Sequence, residues 1–160
     1  MTETMDAEGA RALDDFVCFA LYRASLATTR AYREVLAPWD LTYPQYLVML
    51  VLWEEESVPI GRLGERLQLD SGTVSPLVRR LESMGHVERR RSPDDERSTI
   101  VSLTESGAAL GEKSDCVMAA LVDALTDPAE SDADFDVDAA VELRAALHQL
   151  SDVLRANQAR

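Results

Sequence analysis

The segment HVERRRSPDDERSTIVSLT, residues 86–104, holds two β-prone runs on either side of a charged turn, and it constrains the fold more than any other stretch. Arg89, Arg90 and Arg91 lie on the incoming run, and Arg97 sits at the far side of the tip. An arginine-tipped hairpin has the shape that reaches a DNA minor groove, where narrow width concentrates negative potential. Immediately upstream, IGRLGERL and SGTVSPLVRRLESM are short helical segments with helix-turn-helix spacing. Two helices followed by such a hairpin predict a winged helix, and with it a protein that binds double-stranded DNA.

Charge has to be reconciled with that expectation, because the chain carries a net −13. Residues 1–59 hold four arginines against ten acids, and residues 105–160 four basic residues against twelve. Residues 60–104 hold eight arginines against seven acids, so all relative positive character falls on the predicted winged helix. Acidic flanks make affinity depend on a local face and on dimerisation. At 160 residues and 46% apolar content the chain suffices for one domain with an oligomerisation element. No apolar run approaches membrane-span length, and the acidic start MTETMDAEGARALDD has no signal-peptide character, so a cytoplasmic protein is expected.

The remaining pattern is helical. Residues 14–37 read as a first helix, with Phe16, Val17, Ala20, Ala24 and Ala27 at helical spacing and Pro38 ending it. Thr42-Tyr43-Pro44-Gln45 forms a capping box for an almost wholly apolar core helix over 43–55. Pro59 opens the first helix of the helix-turn-helix. Asp70 and Ser71 cap the second, Gly85 ends it, and Pro76 lies unusually inside it. Thr104 caps one helix expected over 105–125, and Asp127-Pro128 breaks it. An acidic loop then leads to a last helix over 137–156, whose Ala140, Val141, Leu143, Leu147, Leu150 and Leu154 make an apolar stripe suited to a second subunit. The fold class is therefore mainly α with a small β-wing. A winged-helix core over 43–104 is flanked by dimerisation helices at 14–37 and 105–156, within a single domain spanning 1–160.

A recognition helix meets base edges with its N-terminal residues, here Asp70, Ser71, Thr73 and Ser75, with Arg79 and Arg80 one turn further on. Arginine bonds guanine bidentately or clamps phosphate, and Arg89, Arg91 and Arg97 extend that set along the hairpin. Asp95 either orients Arg97 toward the groove or, with Asp94, pairs with it to fold the turn.

Several stretches resemble a known family. DSGTVSPLVRRLESMGHVERRRSPDDERSTIVSLTESG is similar to the winged-helix core of MarR-type bacterial regulators. DFVCFALY and LTYPQYLVMLVLWE resemble its organic-hydroperoxide-sensing branch, the OhrR regulators. The resemblance runs from about residue 13 to 113. It implies a dimeric repressor on a palindromic operator, with a reactive cysteine in the first helix at Cys18. It also implies that Tyr32 and Tyr43 of the partner subunit hydrogen-bond that thiol, and that a second cysteine, where present, resolves the oxidised sensor across the dimer.

Cys18 supports a redox reading on physical grounds. Cys18, Tyr22, Ser25, Thr29 and Tyr32 recur at spacings that share one helix face. The thiolate is the nucleophile toward a peroxide oxygen, and phenol donors or a helix N-terminus would stabilise it. Residues 18 and 32 are separated by about 21 Å along a helix rising 1.5 Å per residue, so Tyr32 cannot reach Cys18 of its own chain. If two first helices cross antiparallel about a dyad near Ser25, Tyr32 of one meets Cys18 of the other, with Phe16 and Tyr22 as an apolar wall. Oxidation to a sulfenic acid would be followed by condensation with a thiol, either Cys116 or a small cellular thiol.

Other readings stay open on residues alone. The chain could be a MarR-type repressor released by a small phenolic or other non-peroxide ligand, with Cys18 incidental, or a thiol peroxidase on a helical scaffold. Against the enzyme stand the hairpin and helix-turn-helix, and Arg23 is the nearest group that could activate a peroxide. No catalytic residues and no cofactor are expected. His86 and His148 lie too far from each other and from other ligands to suggest a metal.

Overall fold

Burial on every side explains why residues 43–55 lie at the centre of the winged-helix core. In the computed structural model, α1 (Val17–Leu36) leads through a 3-10 turn at Ala37–Trp39 into α2 (Tyr43–Glu55). Tyr46, Val48, Met49, Val51 and Leu52 of α2 are all buried. The capping box forms as expected, with the Thr42 amide donating to Gln45 Oε1 at 2.8 Å, and Pro44 occupies the first turn. The structure describes residues 13–93, 95, 97–126 and 137–158; of 121–126, 137, 138 and 158 only the backbone is described. The expected break at Asp127-Pro128, the acidic loop after it and Asp94 lie outside these residues.

β1 (Ser57–Pro59) and α3 (Ile60–Leu67) follow, then α4 (Ser71–Ser83), β2 (Val87–Arg91) and β3 (Thr99–Leu103). Leu63 of α3, Val74, Val78 and Leu81 of α4, Val87 of β2 and Val101 of β3 complete the core. Gln68 at φ 57° turns the chain out of α3, and Asp70 caps α4. α4 runs unbroken through Pro76, which forgoes only the amide bond toward Gly72. Gly85 at φ +80° ends that helix in the left-handed conformation that glycine adopts without strain.

Two sequence expectations change. The hairpin is part of a three-stranded antiparallel sheet in the order β1-β3-β2, with Val58 opposite Val101 and Arg89 opposite Val101 on the other side. Residues 105–125 are two helices, α5 (Glu105–Gly111) and α6 (Ser114–Thr126), separated at Glu112-Lys113. Gly111, the last residue of α5, lies so close to Trp53 that a Cβ there would sit 2.8 Å from the ring, so the helix ends packed on that indole. Trp53 Nε1 also donates to the Gly107 carbonyl at 2.9 Å, which fixes α5 against α2.

The chain divides into two compact units, residues 1–119 and 120–160. The second contains α7 (Val137–Gln158), whose Val141, Leu143, Leu147, Val153 and Leu154 are exposed. In the first unit, α1 buries only Tyr32 and Leu36, while Phe16, Val17, Tyr22 and Leu26 stay exposed. Among the described residues no helix is long and apolar enough to cross a membrane.

Candidate nucleic-acid interface and thiol site

α4 begins at a cap built from its own side chains. Asp70 Oδ1 accepts from the Thr73 amide at 3.0 Å, and Asp70 Oδ2 accepts from the Thr73 hydroxyl at 2.9 Å. These bonds hold the Asp70 carboxyl below its ordinary range, the Thr73 hydroxyl contributing most. Asp70 and Thr73 therefore act first as a structural pair at the helix tip. Ser71 is exposed and Ser75 half-buried in the first turns.

The arginines sort by partner. Arg89 Nε donates to Glu82 Oε2 at 2.8 Å and its Nη2 lies 2.6 Å from the same oxygen in an ion pair, tying β2 to the last turn of α4. Arg90 pairs with Glu88 at 2.8 Å on the opposite face of the strand. Arg62 and Arg66 of α3 pair with Glu54 and Glu55, which end α2 where the helix dipole disfavours acids. Arg80 faces Asp40 at 3.6 Å, both largely exposed. Arg79, Arg91 and Arg97 make no ion pair with any described residue, so their charge is the part of the middle segment available to a phosphate. At the hairpin tip Asp95 Oδ1 accepts from the Arg97 backbone amide at 3.0 Å. Asp95 thus shapes the turn through the main chain and forms no ion pair with the Arg97 guanidinium.

The thiol and the phenols lie at opposite ends of α1. Cys18 is the second residue of that helix and is exposed, as is Tyr22 one turn on. Phe16 caps the helix without a side-chain hydrogen bond and is also exposed. Tyr32 is buried near the other end and stacks on Tyr43 of α2, with ring centroids 4.1 Å apart. Tyr46 packs against Tyr32 at 5.9 Å and against Trp53 at 5.9 Å, so aromatic contact continues along α2. Burial, reinforced by Tyr43 and Tyr46, pushes the Tyr32 phenol up to about 12, and burial likewise raises Tyr43. Both remain protonated hydrogen-bond donors at neutral pH. Fourteen residues of helix, about 21 Å, separate Cys18 from Tyr32 of the same chain.

Cys116, in the first turn of α6, is exposed and unpaired with Cys18. Its neighbour Asp115 lies close enough to Tyr46 to help raise that phenol, after burial and Tyr43. No three His, Cys, Asp or Glu side chains converge as a metal site among the described residues. Residue types and spacing did not single out Glu82 or Asp40, because Glu82 meets its arginine only where β2 folds back on α4 and Asp40 pairs with Arg80, distant along the chain.

The family model described as transcriptional regulator SarA/Rot matches residues 30–113. HTH-type transcriptional regulator TtmR of Methylorubrum extorquens is 53% identical over 107 residues, which make up 67% of this chain and 55% of TtmR. The matched segment thus spans about half of that relative. The organic hydroperoxide resistance transcriptional regulator of Bacillus subtilis is 48% identical over 101 residues, 63% of this chain and 69% of that protein. Reduced AbfR bound to DNA superposes with TM-score 0.70 at 30% identity, over 90% of this chain and 92% of the other. Disulfide-formed AbfR superposes at 0.59 with 29% identity, over 92% and 93%.

Proposed function

Because the chain belongs to the SarA/Rot family of MarR-like winged-helix transcriptional regulators, we propose that it is a homodimeric repressor that senses organic hydroperoxides through Cys18 and then releases a palindromic operator. The observation that carries the reading is the buried Tyr32–Tyr43 stack, held about 21 Å from an exposed thiol on the same helix. Neither half is a sensor alone. Two copies whose first helices cross antiparallel near Ser25 bring Cys18 of one to Tyr32 and Tyr43 of the other.

At that seam the phenol hydroxyls donate to the thiolate and favour its formation. The thiolate sulfur attacks one peroxide oxygen, the O–O bond breaks, and the alcohol leaves with a proton, so sulfur becomes a sulfenic acid while the peroxide is reduced. Condensation with a second thiol then forms a disulfide and releases water. Cys116 and a small cellular thiol are the two candidates for that partner. AbfR, a structural neighbour, has itself been solved in a disulfide-formed state.

DNA binding rests on α4 and the hairpin. Ser71, Thr73 and Ser75 approach base edges, Arg79 and Arg80 follow, and Arg91 and Arg97 extend toward the minor groove. Two recognition helices of a dimer must lie one DNA turn, about 34 Å, apart to enter successive major grooves. Added bulk or a covalent bond at the α1 seam changes that spacing and ends binding. The test is operator binding with and without an organic hydroperoxide, for wild type and Cys18→Ser. Loss of binding in wild type alone supports the reading. Equal loss in Cys18→Ser, or release by salicylate-like acids and not by hydroperoxide, removes it.

A further inference from the structure

We propose that Glu82 is a positioning residue for DNA reading: it clamps the wing to the recognition helix through Arg89, and Arg89 does not itself touch DNA. Arg89 directs both Nε and Nη2 to one carboxylate oxygen of Glu82, at 2.8 and 2.6 Å. The two side chains are only 32% and 35% exposed, so the pair is partly shielded from solvent. The Arg89 guanidinium holds the Glu82 carboxyl below its ordinary range, as expected of a charge-assisted bond.

The location gives the pair a function. Only Met84–His86 separate α4 from β2, and that link turns at Gly85. It is held by the Gly85 amide on the Glu82 carbonyl at 2.9 Å and the His86 amide on the Leu81 carbonyl at 3.1 Å. The Glu82–Arg89 pair is the side-chain tie across the same corner. Strand alternation puts Arg89 on the face of buried Val87, toward α4, and Arg91 on that same face two residues further out. Arg90 lies on the other face with Glu88. The three consecutive arginines therefore divide into an internal tie, a surface pair and a residue free to meet DNA.

Reach makes the tie consequential. From Arg89 to Ser92, where the turn begins, the strand covers about 10 Å at 3.3 Å per residue. A root rotation of about 10° would displace that point by roughly 2 Å, enough to lose a groove hydrogen bond. A clamp that holds this angle keeps major-groove and minor-groove contacts in register.

The experiment compares operator affinity across a salt series for wild type, Glu82→Gln, Arg89→Gln, the double variant and the exchanged pair Glu82→Arg with Arg89→Glu, each checked for folding by circular dichroism. A clamp predicts about fivefold weaker binding for either single change, the scale of one surface ion pair. The double variant should bind no worse than either single. The slope of log affinity against log salt should stay at the wild-type value in all of them, and the exchanged pair should recover most of the loss. A phosphate contact predicts a slope flatter by about 0.9 per protomer for Arg89→Gln, stronger binding for Glu82→Gln, and the worst binding for the exchanged pair, which puts an acid against DNA. That pattern overturns the proposal, as does wild-type affinity in both singles. If a single change prevents folding, the exchanged pair decides alone: recovered binding at the wild-type slope supports the clamp, and lost binding with an intact fold refutes it.

Discussion

Replacing Gly107 by alanine should unseat α5 from the root of the wing. A Cβ at position 107 would lie 2.0 Å from the His86 carbonyl oxygen and 3.2 Å from Leu103 Cδ2. The first contact is with backbone and cannot yield by a rotamer change, so the helix itself must retreat by about 1 Å to reach van der Waals distance. That retreat strains three bonds at once: Trp53 Nε1 to the Gly107 carbonyl at 2.9 Å, the Gly107 amide to Thr104 Oγ1 at 3.1 Å, and the Thr104 amide to His86 at 3.1 Å. Overpacking costs about 1–3 kcal/mol, and a lost cap or hydrogen bond about 1 kcal/mol more each. About 4–6 kcal/mol is therefore expected, which lowers Tm by roughly 8–24 °C for a chain of this size. Circular dichroism melts at one fixed protein concentration measure it, with Gly61→Ala as the control. Nothing lies within 4 Å of a Cβ at Gly61, and an alanine in that helix should hold or raise Tm. A Gly107→Ala melt within about 2 °C of wild type would show that α5 is not seated by this contact.

Further outcomes follow from the same geometry. Arg97→Ala should flatten the salt slope of operator binding by about 0.9 per protomer while Arg90→Ala leaves it unchanged, and equal slopes would refute the sorting of free and paired arginines. Asp40→Asn removes the carboxylate facing Arg80 at 3.6 Å and keeps a residue tolerant of positive φ, so operator affinity should rise about two- to fivefold at low salt and converge with wild type at high salt; weaker binding would contradict it. Tyr32 has its folded pKa raised to about 12 from 10.0, so its contribution to stability is complete below about pH 10 and disappears as pH rises toward 12. Phenolate absorbance should accordingly show tyrosine ionisation delayed beyond the ordinary range and coincident with unfolding, and a titration completed near pH 10 with the fold intact would refute it.

Local chemistry made much of the fold readable. The capping box at Thr42, the cap at Asp70 and the left-handed Gly85 each leave a signature within four residues, and they mark the start of α2 and both ends of α4. β1 left none. It is three residues long and exists because Val58 pairs with Val101, a contact across more than forty residues. The break between α5 and α6 carried a signal in Gly111, but its meaning depends on the Trp53 ring beside it. The same division holds at the site. Cys18 and the arginine run were visible as residue types, whereas Glu82 looked like an ordinary helix-surface acid until Arg89 folded back onto it. Asp70 and Thr73 were read as base-edge residues, and their bonds to each other show that the cap has first claim on both. Tyr32 and Tyr43 came together through a turn that periodicity alone does not fold.

The central claim is that one sensor is assembled from two chains, and a mixed dimer tests it most directly. One chain carries Cys18→Ser, the other Tyr32→Phe with Tyr43→Phe, and each homodimer reacts with organic hydroperoxide slowly or not at all. In the heterodimer the cysteine of the phenylalanine chain faces the intact phenols of the serine chain. The account predicts that mixing restores rapid sulfenic-acid formation at half the wild-type number of sites, with release of the operator. Mixed dimers that react no faster than the tyrosine-deficient homodimer would contradict it.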